Sequence, residues 1–327
     1  MQNGRVLITG GAGMIGSHLI DELIKQNPEC QIIILDDFSV GRETNLPAGI
    51  NIKTVHGSVL DKLLVVKLVS QVDTVYHLAT LKKGSDADPS LETMDTIVDS
   101  ARIMLEACTT NGVRLVLAST SDVYGYGVNL PFNENDPISL GPFNSRRWSY
   151  AVAKLYTEQL ANDFIRQGLD VRIVRYFGGF SERSSFTWRG GHVPKFCYNA
   201  FNGIDIEIHG DGTQTRCVTH GSDLAKGTLL VGQIDKLNGE LFNIGSEEEI
   251  TVIDAAKRVL KQFPNSPSKI KHITTEEVFG KYNEISRRRP DLSKSKKLLG
   301  YAPSLNFDDG LDIMVRYLKD NKINSEC

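Results

Sequence analysis

Near the start of the chain, Val6-Leu7-Ile8-Thr9 runs directly into Gly10-Gly11-Ala12-Gly13-Met14-Ile15-Gly16, and a helical pattern begins at once. This junction constrains the fold more than any other segment. Glycines at 10, 13 and 16 let bare backbone approach a ligand, and the positive end of the following helix favours the negative charge of a pyrophosphate. The next apolar run, Gln31–Asp36, closes on Asp36-Asp37. A carboxylate about 20 residues beyond a glycine loop accepts ribose hydroxyls and repels a 2′-phosphate, which favours NAD over NADP. Arg42, in the turn that follows, either touches the adenosine end or is a solvated loop charge.

The rest of the chain supports a crossover fold. Arg5–Thr9, Gln31–Asp36, Ile52–His56, Thr74–Leu78, Arg114–Ser119 and Val171–Tyr176 are rich in Val, Ile and Leu without strict alternation, as strands buried on both faces are. Helical patterns at Ile15–Gln26, Leu60–Ser70, Ser90–Asn111 and Ser149–Gln167 separate them. The expectation is an α/β protein, a doubly wound parallel (Rossmann) sheet with a smaller α/β substrate domain. Residues 1–176 would form the dinucleotide domain and residues 177–327 mainly the substrate domain, with about 210–250 returning to the first. After Phe177 the texture changes. Ile206–His209 and Leu241–Ile244 read as isolated strands, and helices are expected at Ser222–Val231, Thr251–Gln262 and Phe307–Asp320.

Composition narrows the function. Lys plus Arg number 37 against 40 Asp plus Glu, too balanced for a protein whose main partner is a nucleic acid. No apolar stretch approaches the length of a membrane span. The cysteines (Cys30, Cys108, Cys197, Cys217, Cys327) lack Cys-x-x-Cys spacing and read as reduced thiols. A strand within a few residues of Met1 leaves no room for a signal peptide, so a cytoplasmic protein is expected. The seven histidines show no ligand spacing, so no metal is expected, and no Gly-x-Ser-x-Gly elbow suggests a hydrolase. The acidic run Glu247–Glu249 reads as a solvated turn, with Thr251 capping the next helix.

Two further features carry chemistry. Tyr150 and Lys154 lie four apart on a predicted helix, hence on one face. An ammonium beside a phenol favours phenolate, so the pair suits a general base near neutral pH. At the end of a predicted strand, Ser119-Thr120-Ser121-Asp122-Val123-Tyr124-Gly125 supplies hydroxyls, of which Thr120 is the candidate donor.

The glycine spacing resembles the short-chain dehydrogenase/reductase superfamily. Across nearly the whole chain the resemblance is to its extended members acting on nucleotide sugars: epimerases, 4,6-dehydratases and decarboxylases. It rests on Ile8–Gly16, Asp36–Arg42, His77-Leu78-Ala79, Ser119–Gly125, Arg147–Lys154, Arg175-Tyr176-Phe177, His209–Arg216, Asn243-Ile244-Gly245 and Arg288-Arg289-Pro290-Asp291. The resemblance implies NAD contacts at Gly10, Gly13, Met14, Ile15, Gly16, Asp36, Asp37, Leu78, Ala79 and Lys154. It implies Tyr150 as base at the sugar C4 hydroxyl, Thr120 on the developing oxyanion, and Ser121 and Asp122 beside them. For the substrate it implies Arg216 on a phosphate, His209 near the base, and Val193 and Arg288 in the pocket. A homodimer through the Ser90–Asn111 and Ser149–Gln167 helices is implied as well.

The residues after Thr120 divide the family. Ser121-Asp122 is similar to the Ser-Glu of UDP-glucuronate decarboxylases, with an acid one methylene shorter. Arg147-Trp148-Ser149-Tyr150 and Arg288-Arg289-Pro290 resemble the decarboxylase and apiose/xylose synthase group, where the arginine aligned with Arg288 handles the sugar acid. Decarboxylation of UDP-glucuronate is therefore the leading reading, with 4-epimerisation and 4,6-dehydration as alternatives and a non-catalytic NAD-binding regulator as the remote one. Three departures stand out. Gly178 replaces an asparagine that would face the diphosphate, Ser181-Glu182-Arg183 replaces Gly-Pro-Arg, and Ser58 replaces an aspartate near the adenine. Phe186 and Trp188, in the loop Ser181–His192, would cover the sugar or pack the domain junction.

Overall fold

A computed structural model describes residues 4–80, 91–142, 145, 148–274 and 285–321. Six strands form in chain order where the apolar runs predict them: β1 (Arg5–Thr9), β2 (Gln31–Asp36), β3 (Ile52–His56), β4 (Thr74–His77), β5 (Arg114–Thr120) and β6 (Val171–Tyr176). Between them lie helices α1 (Met14–Gln26), α2 (Lys62–Val69), α3 (Leu91–Asn111) and α4 (Ser149–Arg166). Ser90 and Arg147 fall outside the described residues. Every pairing in the central sheet is parallel. Its order is β3, β2, β1, β4, β5, β6 and then Leu241–Ile244, so the order reverses between β1 and β4, beside the glycine loop. Ligands in such sheets bind at that reversal, outside the carboxyl ends of the strands.

Leu241–Ile244 is the first correction. Its four residues read as an isolated strand, yet they pair with β6 from Leu241↔Ile173 to Ile244↔Tyr176 and form the seventh strand of the sheet. A four-residue run carries no record of its partner.

Beyond the sheet come β7 (Gly179–Phe180), α5 (His192–Phe201), β8 (Ile206–His209), β9 (Thr215–Cys217), β10 (Thr219–His220), α6 (Gly221–Gln233), β11 (Leu241–Ile244), β12 (Glu249–Thr251), α7 (Val252–Gln262), β13 (Ile270–Ile273), α8 (Ser293–Leu299) and α9 (Phe307–Asn321). The sequence pattern missed α5 and α8, and it missed the short strands β7, β9, β10, β12 and β13; the predicted Ile206–His209 forms as β8, and the short strands pair β7 with β10, β9 with β12 and β8 with β13.

Apolar side chains collect in three main clusters. Two cover the faces of the sheet, one beneath α1 and α6 and one beneath α2, α3 and α4. The third lies off the sheet and joins Phe196, Ile206, Ile208, Ala255, Phe307 and Leu311 from α5, β8, α7 and α9. The acidic run before α7 is pinned rather than solvated. Glu247 pairs with Lys296, Glu248 accepts the amide of Phe307, and Glu249 binds Arg287 through both oxygens. Thr251 caps α7, accepting from the amide of Asp254 at 3.1 Å.

Candidate active site

A cavity of about 690 Å³ opens along the carboxyl ends of the strands, lined at one end by Gly10, Gly13, Met14, Ile15 and Gly16 and at the other by Arg216 and Arg288. The glycines have steric reasons. Gly10 has φ +69°, and a Cβ there would lie 2.9 Å from the backbone of Ala79. A Cβ on Gly16 would sit 2.4 Å from the carbonyl oxygen of Gly10. Gly13 starts α1 without any side-chain cap, so the amides of the first turn face the cavity with no competing carboxylate or hydroxyl from the cap position. Backbone cradle and helix terminus together fit a dinucleotide pyrophosphate.

Asp36, at the end of β2, is buried and accepts from the amides of Ala12 and Phe38, both at 2.9 Å. Burial raises its pKa, against the lowering effect of those two bonds. Its carboxylate thus ties the glycine loop to β2 while lining the cavity. Asp37, Leu78 and Ala79 also line it. Arg42 is corrected: it does not line the cavity, because its guanidinium donates to the carbonyl of Glu182 at 3.1 Å and lies 5.6 Å from the centre of the Phe186 ring.

At the end of β5, Thr120 caps a short 3₁₀ turn, its Oγ1 accepting from the amide of Asp122 at 3.2 Å. That bond occupies the oxygen and leaves the hydroxyl proton to be donated elsewhere. Tyr150 and Lys154 on α4 line the same end, with Thr120, Ser121 and Asp122. Lys154 is buried and donates to the carbonyl of Ala118 at 3.0 Å. Burial lowers its pKa to about 8, with Glu158 pulling the other way. Glu158 itself closes a network, holding Arg175 through bonds of 2.9 and 2.6 Å and Ser119 at 2.5 Å.

The least expected contact joins residues 166 apart in sequence: Arg288 Nη1 donates to Asp122 Oδ1 at 2.5 Å. Nε and Nη2 of the same guanidinium are buried and have no hydrogen-bond partner. The open Nε/Nη2 edge is the one that grips a carboxylate with two parallel bonds.

Arg216 and Val193 line the cavity as the sequence suggests. His209 does not, which is a further correction: its ring packs on Trp188 with centroids 4.5 Å apart, at the end of β8. Trp188 itself is absent from the lining, so within the loop Ser181–His192 it packs rather than covers. His192, singled out by no motif, lies beside Val193 in the lining.

The Ser181-Glu182-Arg183 departure builds a second cluster. Glu182 Oε2 accepts from His220 Nε2 at 3.1 Å, and His18 Nε2 lies 3.5 Å from Oε1 and 3.2 Å from Ser181 Oγ. Burial alone would raise the pKa of Glu182, but the His220 bond and the charge of His18 push it down to about 2. Burial pushes His18 down to about 3. The three residues bring ligand-type atoms within 4.8 Å of one another, which their spacing along the chain does not suggest. Glu182 is bonded to His220 and His18 to Ser181, and the cluster joins α1 to the start of α6.

The model of the NAD dependent epimerase/dehydratase family matches residues 6–245. The chain belongs to this family. A UDP-N-acetyl-alpha-D-glucosaminuronate decarboxylase of Bacillus cytotoxicus is 37% identical over 319 residues, covering 97% of this chain and 98% of that protein. UDP-glucuronic acid decarboxylase 1 of Danio rerio is 32% identical over 96% of this chain and 72% of its own length. The solved structure of an epimerase from Methanothermobacter thermautotrophicus superposes with a TM-score of 0.89 at 29% identity, covering 98% of this chain and 94% of that one. The family is NAD-dependent, in accord with the glycine cradle and with the carboxylate of Asp36.

Proposed function

We propose that this protein decarboxylates a UDP-linked uronic acid: UDP-glucuronate or its 2-acetamido counterpart. The observation that carries this reading is Arg288, half-buried in the wall of the cavity that also holds Tyr150, anchored on Asp122 through Nη1 and left without hydrogen-bond partners at Nε and Nη2. A sugar bearing a carboxylate at C6 is the substrate that the Nε/Nη2 edge suits. The same pairing argues against 4,6-dehydration. That reaction needs an acid/base group to remove the C5 proton and expel the C6 hydroxyl, and Asp122 is instead engaged by a guanidinium.

Gly10, Gly13, Met14, Ile15 and Gly16 would hold the pyrophosphate of NAD, Asp36 and Asp37 its adenosine ribose, Leu78 and Ala79 the segment between, and Lys154 the nicotinamide ribose. Bound NAD supplies the chemistry that the side chains lack, accepting hydride from C4. Tyr150 takes the C4 hydroxyl proton, aided by the Lys154 cation, and Thr120 donates its free proton to the oxygen as it becomes a carbonyl. The C4 ketone turns the uronate into a β-keto acid. The C5–C6 bond then breaks, carbon dioxide leaves, and the bonding pair moves into the enolate, whose oxygen Thr120 and Tyr150 hold. A proton taken up at C5 restores the C4 ketone. On return of the hydride to C4 and of the Tyr150 proton to its oxygen, the sugar is left decarboxylated and the cofactor as it began. Arg288 fixes the carboxylate beforehand and so sets the direction in which that bond breaks. Arg216 neutralises a substrate phosphate, and Val193 packs against the nucleotide.

The proposal also assigns residues 1–176 to the dinucleotide domain and 177–327 mainly to the substrate domain, with β11 and α6 returning to the sheet. It includes a cytoplasmic homodimer through α3 and α4, where Leu91, Val152 and Tyr156 are exposed. Among the described residues no helix is long and apolar enough to cross a membrane.

The test is mass spectrometry after incubation with UDP-glucuronate, its 2-acetamido counterpart, UDP-glucose and GDP-mannose. Loss of carbon dioxide from a uronate is expected, and Tyr150→Phe is expected to abolish it while NAD stays bound. Loss of water, or an isobaric epimer with no decarboxylation, refutes the reading. Bound NAD with no reaction on any of the four points to a regulator instead.

A further inference from the structure

Three side chains far apart in sequence meet where the glycine-loop helix touches the start of α6. His18 comes from the second turn of α1, Glu182 from the segment after β7, and His220 from β10, where it caps α6. Their ligand-type atoms all lie within 4.8 Å of one another, and no other three such residues do so among the described residues. Two imidazoles and one carboxylate are a zinc-type donor set. The positions 18, 182 and 220 share no motif, so the histidines give no sign of a metal until the fold brings them together.

The distances suit a shared ion. Donors about 2.0–2.1 Å from a tetrahedral zinc stand about 3.3–3.4 Å from each other. His220 Nε2 is 3.1 Å from Glu182 Oε2, His18 Nε2 is 3.5 Å from Glu182 Oε1, and Ser181 Oγ is 3.2 Å from His18 Nε2. These separations scatter about the tetrahedral edge, and the 3.5 Å gap is longer than a good hydrogen bond to a carboxylate. Arg183 stands 3.6 Å from the same Oε1 but is drawn off by Asp21, at 2.5 Å. The surroundings hold the rings ready. Gly221 leaves room for His18, since a Cβ there would lie 2.8 Å from its Cδ2. The His220 ring stands edge-on to Phe180, with centroids 5.9 Å apart, which limits its rotation. Its Nδ1 lies 2.9 Å from Ser222 Oγ. With Nε2 on an ion, the imidazole proton moves to Nδ1 and that hydroxyl accepts it, the outer-shell bond that ligating histidines almost always make. The long bond from the Ser222 amide to Nδ1, 3.3 Å, is given up in exchange. Both rings are buried, and the half-buried Glu182 gives an ion its way in.

We propose that His18, Glu182 and His220 bind a divalent zinc-type metal ion, with Ser181 Oγ or a water in the fourth position. None of the three lines the cavity, so the ion touches neither NAD nor substrate and its role is structural. It ties α1, one turn after Met14 in the cavity wall, to the start of α6. The inference is independent of the reaction at Tyr150.

The tag-free, full-length protein, stripped with a chelator and desalted, is titrated with zinc chloride against a chromophoric zinc indicator, as wild type and as Glu182→Gln. Gln keeps an oxygen that accepts from His220 but gives up the anionic ligand, and an unchanged NAD affinity shows that the variant is folded. Wild type is expected to take one zinc per chain with micromolar or tighter affinity. Glu182→Gln is expected to weaken it about a hundredfold, since outer-shell changes alone cost metal sites up to about that much. At free zinc a hundred times the wild-type Kd, the wild-type Tm is expected to rise by about 4 °C and that of the variant by less than about 1 °C. Zinc-edge X-ray absorption of the loaded wild type is expected to show two imidazoles, a result that needs no variant. No uptake by wild type overturns the proposal. So does equal uptake by Glu182→Gln, which would place the zinc at exposed histidines such as His56 and His272. A zinc shell without the imidazole pair overturns it as well, and the triad is then a hydrogen-bonded brace alone.

Discussion

Arg288→Met removes the guanidinium and keeps much of the stem, and its consequence can be worked from the geometry. The Nε/Nη2 edge offers two bonds to a carboxylate, and each hydrogen bond to a charged group is worth about 1.5–3 kcal/mol. Both together would give about 3–6 kcal/mol, but the cavity admits solvent, so the lower figure applies, about a hundredfold in affinity. Removing Arg288 also leaves the Asp122 carboxylate without its 2.5 Å partner and facing the arriving uronate, which adds repulsion. The measurement is the ratio of UDP-glucuronate to UDP-glucose affinity, since the two ligands differ only at C6. The ratio is expected to fall by about a hundredfold, almost wholly through the uronate. Arg288→Lys is expected to recover only part of it, because a point charge cannot reproduce the fork. A ratio that moves by less than about threefold refutes the assignment of the carboxylate site to Arg288.

Glu158→Gln leaves the buried Arg175 uncompensated and is expected to cost about 3–5 kcal/mol. At about 2.1 cal/mol/K per residue over 327 residues, that lowers Tm by about 4–7 °C in scanning calorimetry, and an unchanged Tm would show that the network bears no stability. Gly16→Ala places a methyl 2.4 Å from the Gly10 oxygen. The strain, about 1–3 kcal/mol, is expected to move the loop and weaken NAD in a fluorescence titration; wild-type NAD affinity would refute the cradle. Lys154 is a cation below its lowered pKa of about 8 and neutral above it, so kcat/KM is expected to fall as pH rises through that value. Because Glu158 holds that pKa up, Glu158→Gln shifts the fall to lower pH. A profile flat to pH about 10, the ordinary lysine range, would show that the cation does not assist Tyr150.

The legible parts of this protein are those whose physics is local. Strands buried on both faces announce themselves by composition, and the glycine loop does so because no other residue fits at positions 10 and 16. Tyr150 and Lys154 share a helix face by spacing alone. The pairing of Asp122 with Arg288 is different. Each residue is singled out separately by its surrounding motif, but nothing in either motif says that they touch. Arg42 and His209 fail for the opposite reason: their positions suit a ligand, yet the Glu182 carbonyl and the Trp188 ring are closer. Glu182 reads as a loss of the usual proline, and only the fold shows that His18 and His220 are waiting for its carboxylate. His192 sits in a segment without period, and its signal, a histidine directly after two glycines, has meaning only once α5 is seen to begin there.

The late position of β11 has a consequence in time. The strand that completes the sheet, Leu241–Ile244, is made long after its neighbour β6 ends at Tyr176, so a growing chain presents that edge open while the intervening segment is synthesised. Asn243 of that strand also accepts from the Tyr124 hydroxyl at 2.7 Å and donates to the carbonyls of Phe132 and Asp291. Those contacts brace the 3₁₀ turn behind Thr120 and the segment that carries Arg288. Assembly of the reactive end of the cavity therefore waits on this short strand and on the later segment that carries Arg288, non-local pairings of the kind that slow folding. A ribosome-bound chain that has not yet released residue 244 holds every residue of the NAD loop, but not the platform on which a sugar acid could be turned over.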